Sequence, residues 1–99
     1  MLFGNKIKQL REEKKLFQRQ LAAALEIDTP MYSKIETGSR MAKRTQVVAL
    51  AKLLSTDKDE LLTLWLADQI IEIVKAENKL ADKVLETVKQ NRDNKHKNN

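Results

Sequence analysis

Apolar side chains recur at helical spacing almost from the start of this 99-residue chain. Phe3, Ile7 and Leu10 lie four and three apart, which gives one apolar face to a helix from about Leu2 to Lys14. Leu21, Ala22 and Leu25 do the same for a second helix, about Gln18 to Leu25. Asp28 then offers a side-chain acceptor to the free amides of a following turn, and Pro30 falls in that first turn, where its missing N–H does no harm. The helix so started runs from about Thr29 to Thr37 with Tyr32 and Ile35 facing inward, and Gly38, tolerant of positive φ, ends it. Val47, Leu50, Ala51 and Leu54 recur at i, i+3, i+4, i+7 and predict a fourth helix, about Arg44 to Leu54.

A fifth helix begins after Asp57, with Glu60 three residues on completing a capping-box pattern. From Leu61 to Val74 it is apolar nearly all round, so it must be covered on more than one side. A small domain covers one side, and the other calls for a partner. Leu80, Ala81, Val84, Leu85 and Val88 form a narrower stripe, read as a last amphipathic helix from about Asn78 to Gln90. It either continues the fifth helix or follows a break near Ala76 to Asn78; the break is preferred. Residues 91–99 hold no apolar side chain, and a disordered polar tail is expected there. The fold class is therefore all-α: a five-helix domain with a C-terminal helical extension. The expected division is 1–56 for the first domain, 57–90 for C-terminal dimerising helices and 91–99 for the tail.

Composition narrows the chemistry. With two glycines and one proline, the chain lacks the turn residues of a sandwich or barrel. It has no cysteine, and its one histidine, His96, sits in the polar tail, so thiolate sites, a His-based metal cluster and a Ser-His-Asp triad are not expected within one chain. No metal, cofactor or small-molecule ligand is implied. Asp68 and Glu72 read as an i, i+4 pair on a solvated face, and no other paired carboxylates suggest an enzyme. Apolar runs of at most five residues, Leu21 to Leu25 and Val47 to Ala51, imply neither a membrane span nor a signal peptide, and a cytoplasmic location is expected. The net charge of +5 is unevenly placed. Through Leu54 there are 11 basic and 5 acidic residues, and beyond it 8 and 9, so the positive field belongs to the first domain. That is the footprint of a nucleic-acid-binding module.

The stretch Gln18 to Gly38 is two short helices around a tight turn. Leu21 and Ala22 pack inward, Ala22 being small where the helices cross, Ile27 plugs the turn, and Tyr32 and Ile35 anchor the second helix. Thr29, Pro30, Ser33 and Lys34 are left facing outward, as a helix entering a DNA major groove requires. With Ile7 to Lys14, Leu16, Gln18, Leu21-Ala22, Ser33 to Gly38 and Val47 to Leu54 in this order and spacing, the sequence resembles the Cro/λ-repressor-type (XRE) helix-turn-helix regulators over about residues 3–62.

The resemblance implies a λ-repressor-like fold and a set of roles. Gln18 should touch a phosphate and reach toward a base edge. Thr29, Pro30 and Lys34, with Ser33 as a weaker contributor, should read the groove. Arg40, Lys43 and Arg44 should clamp the backbone, and Arg11 with Glu36 should form an internal ion pair. Two places where the family usually has glycine hold Lys15 and Glu26, each expected to cost about 1 kcal/mol at positive φ. The implied function is a sequence-specific transcriptional regulator of double-stranded DNA. It would act as a homodimer on a pseudo-palindromic operator through Trp65, Leu66, Ile70, Ile73, Val74, Leu80 and Val84. Within the class, a phage repressor, an antitoxin and a restriction–modification controller all fit, the last slightly better. The alternative is a helix-turn-helix scaffold used as a protein-interaction module that does not read DNA, a reading that the nearly neutral, hydrophobic C-terminal part supports.

Overall fold

Three of the helices are followed, one residue past the C-cap, by a residue that carries a side chain into the left-handed region: Lys15 (φ 57°), Glu26 (φ 59°) and Ser55 (φ 51°). At each, the backbone closes the same way. Lys15 N–H donates to the Glu12 carbonyl and Leu16 N–H to that of Arg11; Glu26 and Ile27 donate to Ala23 and Ala22; Ser55 and Thr56 donate to Lys52 and Ala51. These paired bonds satisfy the last free carbonyls of the helix and turn the chain back onto the core. The first two positions are where the sequence departs from the family's glycines; the third was not foreseen.

The computed structural model describes residues 1–97, with side chains through Asn94. The helices are α1 Leu2–Glu13, α2 Gln18–Ala24, α3 Thr29–Thr37, α4 Arg44–Leu53, α5 Lys58–Val74 and α6 Ala81–Lys97. All regular structure among the described residues is α-helical, and no helix there is long and apolar enough to cross a membrane. The helix starts follow the sequence closely. Asp28 accepts from Met31 N–H at 2.7 Å, and Asp57 accepts from Glu60 N–H at 3.2 Å. At α2 and α4 the cap is made from the other side: Gln20 takes the Phe17 N–H and Gln46 takes the Lys43 N–H through their side-chain oxygens.

The chain divides into two compact units, the first Met1–Asp68 and the second beginning at Gln69. The first contains the core: Phe3 and Ile7 of α1, Leu21 and Ala22 of α2, Tyr32 and Ile35 of α3, Val47, Leu50 and Ala51 of α4, then Leu54 and Leu61. Helix α3 packs against both α1 and α2. Where α1 meets α3 only glycine fits, because a Cβ on buried Gly4 would collide with the Glu36 backbone carbonyl. This first unit runs past the boundary expected at residue 56, because α5 completes it. Leu61 is buried in the core, Leu62, Leu64 and Trp65 pack against it, and Asp68 caps α1. The Asp68 carboxylate accepts the N–H groups of Leu2 and Phe3, each at 2.9 Å, so it is a helix cap and not a member of a solvated pair. Glu72 pairs with Lys75 instead.

In the second unit α5 ends at Val74, and the chain turns through residues 75–80 before α6, so the helix does break near Ala76 to Asn78. Helix α6 starts three residues later than expected, at Ala81, and extends to Lys97. Residues 91–97 are thus helical where a disordered tail was expected. An absence of apolar side chains removes a reason to pack, not a reason to be helical: the segment has no glycine or proline, and Lys and Arg favour helix. Asn98 and Asn99 of the expected tail lie outside the described residues, as do the side chains of Lys95, His96 and Lys97.

Candidate nucleic-acid interface

The two-helix motif is assembled by short local rules. Glu26 turns the chain after α2, Asp28 caps α3, and Pro30 occupies its first turn. Tyr32, Ile35 and Glu36 point into the domain and are buried, which leaves Thr29, Pro30 and Lys34 exposed with Ser33 half-buried between them. These four lie at i, i+1, i+4 and i+5 and form one outward stripe, as the sequence predicted.

Helix α3 ends at Gly38 in the left-handed conformation (φ 84°). Its Lys34 carbonyl then collects three donors: Arg40 N–H at 3.2 Å, Thr37 Oγ1 at 3.2 Å and Ser39 Oγ at 3.4 Å. The start of the following loop is thereby pinned to the helix that carries the stripe. Arg40 and Lys43 on this loop, and Arg44 at the first position of α4, are all exposed. Ala42 between them is buried, and its carbonyl accepts the Trp65 indole N–H at 2.9 Å. The Arg44 guanidinium lies over the same indole, 5.9 Å from its centroid. Trp65, expected in the core or at a dimer interface, makes both of these contacts within its own unit. A helix apolar all round did not reveal which of its faces Trp65 occupies.

Beneath the stripe lies a charged cluster. Glu36 is only 4 % exposed. Arg11 meets it with two bonds, Nε to Oε2 at 2.7 Å and Nη2 to Oε1 at 3.1 Å, and donates a third to the Leu16 carbonyl at 3.0 Å. The resemblance implied this pair, and the geometry is the bidentate one. Burial pushes the Glu36 carboxyl up, but hydrogen bonds from Arg11 and Gln18, the nearby Tyr32 hydroxyl and the Arg11 charge outweigh it and hold the carboxyl below its ordinary range. The Glu36 bond in turn raises Arg11. Burial and the adjacent carboxylate push the Tyr32 phenol up; its hydroxyl sits beside the pair without closing a well-formed hydrogen bond.

Gln18 belongs to this cluster as well. Its Nε2 donates to Glu36 Oε1 at 3.1 Å and it is half-buried, so one N–H of the amide is already taken. That narrows the expected role at a phosphate: the amide shares Glu36 Oε1 with Arg11, and only its second N–H is left for an outside acceptor. Next to it, exposed Arg19 stacks on the Phe17 ring at 4.8 Å. Arg19 was not singled out from the sequence, although a cation beside Gln18 at the start of α2 was there to be noticed.

Of the side chains expected at a dimer interface, Leu66, Ile70, Ile73, Leu80 and Val84 are exposed, Ile73 at 73 %, and Val74 is half-buried. Ile71, Leu85 and Val88 are exposed too. So much apolar side chain on two helices is unusual for surface that faces only water.

No curated protein and no solved structure is significantly similar to the chain. The family model for the helix-turn-helix domain matches residues 2–64, which span α1 to α4 and the first part of α5. The chain belongs to the helix-turn-helix domain family, in keeping with the Cro/λ-repressor-type resemblance of its sequence.

Proposed function

We propose that the protein is a sequence-specific DNA-binding transcriptional regulator that acts as a homodimer on a pseudo-palindromic operator in the cytoplasm. The observation that carries the reading is the outward stripe Thr29, Pro30, Ser33 and Lys34 with the exposed cations Arg40, Lys43 and Arg44 on the segment that follows it. Lys34 can donate to guanine O6 or N7, and Thr29 and Pro30 can meet a thymine methyl. The cations supply affinity without sequence preference, and the stripe supplies discrimination. The exposed Leu66, Ile70, Ile73, Leu80 and Val84 support self-association. Two reading helices related by a two-fold axis call for half-sites about one helical turn apart, or a multiple of that. Within the class, the resemblance alone favours a restriction–modification controller, and a methyltransferase gene beside this one would bear that out.

Selection from a random DNA library, then titration of wild type and Lys34→Ala, tests the reading. A symmetric motif should emerge, with Lys34→Ala costing about 1–3 kcal/mol on it and much less on random DNA. Arg40→Ala with Lys43→Ala should flatten the plot of log K against log salt by about 0.9 for each lost contact. Sedimentation at tens of micromolar should give a dimer. A chain that selects no motif and binds no DNA, yet still self-associates or captures a protein, would be the interaction module instead.

A further inference from the structure

The segment from Ser39 to Arg44 presents three exposed cations on long side chains, and such a segment loses order unless its backbone is tied. It is tied at three points. Arg40 N–H binds the Lys34 carbonyl at its start, and Lys43 N–H binds Gln46 at its end. The central tie comes from α5, where the Trp65 indole N–H donates to the Ala42 carbonyl at 2.9 Å. The same ring lies under the Arg44 guanidinium at 5.9 Å. Trp65 therefore holds the backbone of the segment and one of its cations at once. Only an indole does both in this place: phenylalanine offers a ring without an N–H, and leucine offers neither.

We propose that Trp65 is a positioning residue for DNA binding: it pre-orders Arg40, Lys43 and Arg44 for phosphates without touching DNA itself. The inference rests on the DNA-binding reading above. Ordering the cations before the encounter removes an entropic cost that the complex would otherwise bear. Because phosphates carry no sequence information, the benefit is the same on every site.

The test is Trp65→Phe, which keeps a ring and removes the N–H. Affinity should fall by roughly threefold to tenfold on selected and random DNA alike, with the ratio between them unchanged. Arg44→Gln should cost less in the Trp65→Phe background than in wild type, since the two changes remove parts of one arrangement. Because the substitution also alters packing, amide exchange in the DNA-free protein gives a second measure: residues 39–44 should exchange faster in Trp65→Phe while α2 and α3 stay protected. Unchanged affinity, a loss confined to the selected site, additive effects with Arg44→Gln, or unchanged exchange at 39–44 would each overturn the proposal. If wild type binds no DNA at any salt concentration, the DNA reading fails on its own, and the exchange measurement still decides whether Trp65 holds the segment.

Discussion

Replacing Arg11 with methionine should cost the domain most near neutral pH and least near pH 4. Glu36 is buried and receives two hydrogen bonds from Arg11 and one from Gln18. Methionine keeps much of the aliphatic stem but removes the cation, leaving a carboxylate in a poorly hydrated place with one direct donor. Breaking a buried pair from one side costs about 3–5 kcal/mol. The Arg11 side chain is 12 % exposed, so water can enter the vacated space. The lower figure, about 3 kcal/mol, is therefore expected at pH 7. Glu36 has a way out, which is to take a proton. From an ordinary carboxyl value near 4.5, this costs about 3.4 kcal/mol at pH 7 and about 1.4 kcal/mol less for each pH unit toward acid. That cost caps the penalty, and the cap vanishes near pH 4.5.

The wild-type protein behaves in the opposite sense. Its Glu36 is held below the ordinary value, so the stability it contributes is complete above the unfolded-state pKa and is lost as pH falls through the folded-state pKa. The gap between the two proteins should therefore narrow steadily from pH 7 to pH 4, and approach about 1 kcal/mol, the lost Arg11 bond to the Leu16 carbonyl, only once the pH has fallen through the wild-type folded-state pKa. Urea unfolding followed by Trp65 fluorescence, at pH steps from 7 to 4, reads this directly. Arg11→Met with Glu36→Gln should recover most of the loss at pH 7. A gap that stays the same across the pH range, or a double variant no more stable than the single one, would refute the reasoning.

Gly4→Ala should destabilise the domain by about 1–3 kcal/mol, because the new Cβ forces α1 away from the Glu36 carbonyl; a melting temperature equal to wild type would show that the helices separate freely. Lys15→Gly, Glu26→Gly and Ser55→Gly should each stabilise by about 0.5–1 kcal/mol, relief of left-handed strain exceeding the added freedom of the unfolded chain, and the triple variant should unfold at a higher urea concentration. Asp68→Asn should cost about 1 kcal/mol in chemical denaturation, as the charge facing the first amides of α1 is lost, and added salt should reduce the difference from wild type.

What could be read from the sequence was local. Asp28 and Asp57 cap helices whose first turns they adjoin, and the pattern of apolar residues placed α1 to α5 within a residue or so. The outward stripe on α3 follows from Tyr32 and Ile35 facing the other way. The Arg11–Glu36 pair was legible only by resemblance, since nothing in the spacing of two residues on different helices reveals that they meet. Asp68 escaped notice for the same reason: the amides it caps lie at the other end of the first unit, and its nearest plausible neighbour in sequence, Glu72, was misleading. Gly4 escaped because a helix-interior glycine shows its reason only once the opposing backbone is in view. Trp65 could be placed only as core or interface, because a helix apolar on every side does not say which residue turns inward, and its bond to the Ala42 carbonyl joins residues far apart in sequence. The end of α6 is not legible because residues 91–97 have no apolar side chain to mark a helical period, and only backbone propensity favours helix there.

The cap that Asp68 places on α1 also has a consequence for the order of events on the ribosome. The first helix of this unit carries two amides whose partner is the last residue of the same unit. At about 5–20 residues per second, several seconds pass between the appearance of Leu2 and that of Asp68. During that interval α1 can form only as a frayed helix, and Ile7 and Phe3 wait for Leu61 to close the core. The nascent chain should thus resist protease only after residue 68 has cleared the exit tunnel. A stop after residue 64, where the family match ends, would release a chain lacking both the cap and Trp65.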